Sequence, residues 1–199
     1  MTAGKDNPPV PALRADGQGD RGRELDEGHL PAIEPSTTSL VRTTFAPGSA
    51  TRVYLVARSF GLARSDDAGR MFQRTFSERL GAIAVDPGNP DVLNLGAFDN
   101  NHGIFKSLNG GLTVTPVFPT VNFSTLSIDP RHPEIVYARN RSGGVLRSLD
   151  GGATWAQASS GLPPLNEVLA VAVDPIIPAR VYAWVRAAGL FVSADGGGS

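Results

Sequence analysis

The sequence predicts an all-β fold assembled from propeller blades, and three observations carry that prediction. A turn of pattern Ser-x-Asp/Asn-x-Gly recurs at Ser65, Ser107, Ser148 and Ser193, roughly every 40–45 residues, which is the period of a four-stranded blade. A second turn, Asp-Pro with another proline three places on, keeps the same register at Asp86, Asp129 and Asp174. Before each Asp-Pro, the segments GAIAVDP, STLSIDP and LAVAVDP alternate large with small residues. That period of two suits an inner strand packed through both faces.

Residues 1–35 form a tail. They hold five prolines, no aromatic residue and more acidic than basic side chains, so they lack the apolar surface that would offset the entropy of ordering. Four repeat units follow: 36–79, 80–122, 123–166 and an incomplete 167–199. Each reads as an inner strand A, a strand B such as EIVYARN, a strand C such as GVLRSLD and a strand D such as TWAQAS. The first unit has Ala46-Pro47 in place of Asp-Pro. The fourth stops at Ser199, before its D strand. The expectation is therefore a partial propeller of about three and a half blades, open rather than closed. Pairing of residues 29–35 beside strand C of the last unit would overturn it, and an exposed blade edge invites self-association.

In the serine turns, short polar side chains accept from backbone N–H groups that a tight turn leaves unpaired, and the glycines permit positive φ. Trp155 supplies an apolar anchor after the third turn, with Phe72 and the weaker Val114 as its counterparts. The turn residues Ser65, Asp67, Gly69, Ser107, Asn109, Gly111, Ser148, Asp150, Gly152, Ser193, Asp195 and Gly197 are accordingly assigned to folding. One carboxylate per turn falls short of the oxygen set that calcium requires.

These turns resemble the Asp-box, or bacterial neuraminidase repeat, of pattern SxDxGxTW, over roughly residues 36–199. Asn109 departs from it in the second turn, and Ser199 stands where Thr belongs in the last. Taken with DPxxP and VYA, the repeat is similar to those of xyloglucanase-type glycoside hydrolases, photosystem II assembly factors and many exported bacterial repeat proteins. The resemblance implies an extracytoplasmic location, although no signal-peptide run stands in this chain. It does not imply a sialidase. That family's Arg-Ile-Pro motif is missing, with Arg42 in Val-Arg-Thr the nearest arginine, and Tyr54, Tyr137 and Tyr182 recur at one strand position, as core residues do.

Because strands alternate direction, both repeated turns lie on one face, and the B–C and D–A loops share the other. Function is expected on that second face. Its candidate binding residues are Arg58, Asp99, His102, Arg139, Arg141 and Arg186, a set compatible with an anionic glycan, an acidic protein segment or a plain solvated surface. Glycoside hydrolysis needs two carboxylates. Asp99 is the strongest candidate, with Glu78 or Glu167 as partner, and no convincing pair is visible. The net charge of −1 gives no electrostatic reason for nucleic acid. The chain has no cysteine, and the spacing of His29, His102 and His132 suggests no metal site. No cofactor is expected. Two functions are compatible with these residues, a non-catalytic scaffold binding protein or glycan and a fragment of a carbohydrate-active hydrolase.

Overall fold

The structure, a computed structural model, describes residues 40–98, 103–119, 125–140, 144–163 and 167–198. These residues form strands and no helix. The first sheet holds β1 (Leu40–Phe45), β2 (Val53–Ala57), β3 (Gly61–Ser65) and β4 (Gln73–Phe76). The second holds β5 (Leu80–Val85), β6 (Leu93–Ala97), β7 (Ile104–Ser107) and β8 (Thr115–Phe118). The third holds β9 (Leu126–Ile128), β10 (Val136–Arg139), β11 (Val145–Ser148) and β12 (Ala156–Gln157). The fourth, among the described residues, holds β13 (Val168–Val173), β14 (Val181–Val185) and β15 (Gly189–Ser193). Within every sheet the strands are antiparallel and lie in chain order. This is a partial β-propeller.

Successive sheets stack face to face. Strands β1 and β2 pack on β5, β5 and β6 on β9, and β9 and β10 on β13. The alternation seen in the sequence is the cause. Ile83 and Val85 turn back into a core shared with Tyr54, Val56 and Leu62 of the first sheet. Ala82 and Ala84, on the other side of the same strand, meet Leu126 and Leu146 of the third. Both sides of β5 are thus removed from water, the main favourable term in its folding, whereas β13 leaves Ala170 and Ala172 exposed.

Each joint also carries polar contacts from equivalent donor positions, reaching an Asp-Pro turn in the first joint and serine turns in the next two. Tyr54 donates its hydroxyl to Pro90 O at 2.8 Å, the Asn94 amide donates to Gly151 O at 3.1 Å, and Tyr137 donates to Gly196 O at 2.8 Å. The residue before each turn serine does the same. Arg64 donates to the carbonyls of Asn109 and Gly110, Lys106 to Asp150 O, and Arg147 to Gly196 O at 2.7 Å. Turn carbonyls that point out of one sheet are thereby paired by the sheet before it.

In the fourth sheet the corresponding positions hold Tyr182 and Val192, and the face is differently built. Val192, Leu190 and Trp184 are about half exposed there. Among the described residues, no packing comparable to the three joints links the fourth sheet to the first. Residues 29–35, whose pairing would close the ring, lie outside the described residues.

The serine turns share one hydrogen-bond pattern. In the third, Ser148 Oγ accepts from Gly152 N at 2.7 Å and donates to Asp150 Oδ1 at 2.7 Å. Asp150 in turn accepts from both the backbone N–H and the hydroxyl of Thr154. Gly69, Gly111 and Gly197 donate to Ser65, Ser107 and Ser193 in the same way. Asn109 accepts from Thr113 N through Oδ1 and donates to the Thr113 hydroxyl through Nδ2, so the turn closes without a charge. The Asp-Pro turns use a simpler version, in which Asp86, Asp129 and Asp174 each accept from the backbone N–H groups two and three places on.

These bonds predict a fold that loses stability in acid. The Thr154 hydroxyl, followed by its backbone N–H and the Ser148 hydroxyl, holds the Asp150 carboxyl well below the usual carboxylate range. The N–H of Met71 does the same for Asp67, and that of Ile177 for Asp174. A depressed folded-state pKa contributes stability that is complete above the unfolded value of about 3.9 and is lost as pH falls below it. Thermal melts should therefore show a flat Tm from pH 7 to about pH 5 and a steep fall below about pH 4. Asp150→Asn, which copies the neutral second turn, is expected to make that fall shallower. An unchanged acid limb in the variant would remove Asp150 from the account.

Candidate functional site

The face carrying the B–C and D–A loops presents two arginine clusters, each spanning a joint. At the joint of the third and fourth sheets, Arg139 ends β10 with its side chain almost wholly buried. Its Nε donates to Val168 O, and its Nη2 donates to Glu167 Oε1 at 2.5 Å. Glu167 Oε2 accepts from Arg186 Nε at 2.8 Å, and the Arg186 backbone N–H donates to Glu167 O. Glu167 therefore lies between two guanidinium groups, one inside and one 64% exposed. Sequence and fold place them together for a plain reason. Glu167 directly precedes the inner strand β13, whose neighbour β14 ends at Arg186's doorstep, while Arg139 occupies the matching end of β10.

The second cluster joins the first and second sheets. The Arg58 guanidinium lies over the Phe98 ring at 3.7 Å from its centroid, and Arg79 Nε donates to Arg58 O at 3.1 Å. The Phe98 N–H donates to Arg79 O. A cation on an aromatic face, with an exposed second arginine beside it, places two positive charges at this joint.

Of the residues singled out from sequence, Arg139, Arg186 and Glu167 come together, and Arg58 lies in the other cluster. Asp99, His102 and Arg141 lie outside the described residues. Glu78 is half-buried, and its backbone carbonyl lies against Gly61 at the start of β3. Glu167 carries two arginine contacts rather than presenting a free carboxyl. Arg79 escaped sequence reasoning, although its place directly before an inner strand, like that of Glu167, marks it as a loop-face residue.

No family model and no curated protein matches this chain by sequence. Solved structures do match. An ancestral GH74 enzyme superposes with a TM-score of 0.67 at 22% identity over 79% of this chain and 23% of its own. The GH74 xyloglucanase from Xanthomonas campestris gives 0.66 at 22%, over 81% and 30%. An auxiliary nutrient binding protein from Bacteroides thetaiotaomicron gives 0.59 at 16%, over 74% and 36%. The fold is that of a β-propeller. The chain spans about a quarter of the ancestral enzyme's length and under a third of the xyloglucanase's, and at these identities the likeness speaks for the fold alone.

Proposed function

We propose that this propeller, of the Asp-box (bacterial neuraminidase repeat) type, is a non-catalytic scaffold that binds a protein or glycan ligand through its B–C/D–A loop face. The observation that carries this reading is the Arg139–Glu167–Arg186 cluster. A buried arginine fixes the carboxylate, and the carboxylate aims a second, exposed guanidinium outward. Planar, pre-aimed guanidinium groups recognise carboxylates and stack on sugar or aromatic faces. Arg58 on Phe98 adds a second such surface across another joint. Extracytoplasmic location is part of the proposal and rests on the resemblance of the repeats.

The alternative is a fragment of a xyloglucanase-like hydrolase using Asp99 with Glu78 or Glu167. The likeness to GH74 folds supports it, and the double arginine engagement of Glu167 speaks against that residue as an acid. One experiment separates the two. The protein is titrated with xyloglucan oligosaccharides, polygalacturonate and an acidic peptide, and release of reducing ends is followed in parallel. The expected result is saturable binding without hydrolysis, weakened about tenfold, or about 1.4 kcal/mol, by Arg58→Ala with Arg186→Ala at unchanged Tm. Hydrolysis that disappears in Asp99→Asn with Glu78→Gln would establish the enzyme, and binding indifferent to both arginines would move the site elsewhere.

A further inference from the structure

At their third position the four serine turns carry Asp67, Asn109, Asp150 and Asp195, followed by Ala68, Gly110, Gly151 and Gly196. The second turn thereby contains the chain's one Asn-Gly dipeptide. Asparagine is thermolabile, most of all before glycine, whose backbone nitrogen has no side chain to shield it from the neighbouring amide carbon. The fold dictates that glycine. Gly110 has φ 67°, and a Cβ there would run into the Arg64 guanidinium and crowd Asp91 and the Tyr54 hydroxyl.

The folded turn ties up both reacting groups. Gly110 is buried, and its N–H donates to Asp91 O at 2.8 Å. Ala68, Gly151 and Gly196 donate from the equivalent positions to the carbonyls of Thr51, Glu134 and Ala179, so this bond belongs to the repeat. The Asn109 amide is held as firmly. Its Oδ1 accepts from the Ser107 hydroxyl at 3.1 Å and from Thr113 N at 2.8 Å, and its Nδ2 donates to the Thr113 hydroxyl at 2.9 Å. Ring closure between the two groups requires these bonds to open and the Gly110 nitrogen to give up its proton.

We propose that Asn109-Gly110 is a deamidation site that the folded turn keeps closed and unfolding opens. In the opened chain the Gly110 nitrogen bonds to Asn109 Cγ, and Nδ2 departs as ammonia with the Gly110 amide proton, leaving a succinimide ring. Water then hydrolyses one of the two ring C–N bonds, which gives either aspartate or isoaspartate at 109. The fold treats the two products differently. Aspartate reproduces the third turn, where Asp150 accepts from the N–H and the hydroxyl of Thr154. Thr113 stands at the matching place, with its N–H already donating and its hydroxyl able to rotate from acceptor to donor. Isoaspartate lengthens the main chain by a methylene, which moves the Gly110 N–H away from Asp91 O and the Gly111 N–H away from Ser107 Oγ. A chain that reacts while open therefore returns with a charged turn or does not return. This chemistry lies on the face of repeated turns and is independent of the function proposed for the loop face.

The test incubates the intact protein at mildly alkaline pH, in native buffer and in guanidinium chloride above its unfolding midpoint, at matched ionic strength. The tryptic peptide spanning 107–131 is then analysed by mass spectrometry with fragmentation that distinguishes aspartate from isoaspartate. Conversion at Asn109 is expected to run at least about tenfold faster in denaturant, because in native buffer it waits for the turn to open. After refolding, the folded fraction should hold aspartate at 109 and be depleted of isoaspartate. Asn109→Asp should melt at or above the wild-type temperature at neutral pH. Equal rates in the two conditions, conversion confined to other asparagines, isoaspartate undiminished in the refolded fraction, or a lower Tm for Asn109→Asp would each overturn the proposal.

Discussion

Gly152→Ala is expected to destabilise the protein by about 3 kcal/mol, combining left-handed backbone strain with overpacking. Gly152 has φ 93°, and a methyl group there would overlap the side-chain amide of Asn94 in the preceding sheet. Asn94 cannot simply retreat, because it is buried and its Nδ2 donates to Gly151 O. Gly48 supplies the control. Its φ of 73° is also positive, but nothing lies within 4 Å of an added Cβ. Gly48→Ala should therefore cost only about 1 kcal/mol, the strain contribution by itself. Urea melts of both variants at neutral pH check the contrast. Equal losses would mean that the second glycine of the turn serves backbone conformation and not the close approach of sheets.

Arg139→Met should cost about 2–3 kcal/mol, somewhat less than the 3–5 typical of a broken buried pair. The reduction reflects the surroundings of Glu167, which is a quarter exposed and retains Arg186 as partner. The loss has two sources: Val168 O loses its guanidinium donor, and the carboxylate loses its buried cation. Glu167→Gln should make the two changes non-additive, with a coupling of about 1–2 kcal/mol between them. Additivity within about 0.5 kcal/mol would show that the pair does not act as a unit. The same variant separates fold from function. Arg139→Met at permissive temperature leaves Arg186 paired with Glu167, so ligand affinity should fall less than in Arg186→Ala.

The repeat register is legible from residue types because each blade solves the same local problem. Period-two alternation places Ile83 and Val85 on one face and Ala84 on the other wherever the strand lies in space. The serine turns are legible for a similar reason. Their bonds join residues two to four apart, so the composition of Ser148-Leu149-Asp150-Gly151-Gly152 already contains every partner.

Contacts between sheets behave differently. That Arg64, Lys106 and Arg147 reach the carbonyls of the next turn depends on partners more than forty residues away, and a basic residue before a serine carries no local mark of that role. The Arg58–Phe98 stack and the Arg139–Glu167–Arg186 cluster likewise arise where two sheets meet. Sequence placed Arg58, Arg139, Arg186 and Glu167 on one face, but their grouping into two clusters follows from how neighbouring sheets pack.

The sequence by itself therefore determined the all-β class, the four repeat units and the division into a face of repeated turns and a face of variable loops. All of these depend on interactions between near neighbours along the chain. The tertiary structure decided which arginines share a carboxylate and which turn carbonyls are paired across a joint. These are properties of the space between sheets, set by the stacking geometry of segments far apart in the chain.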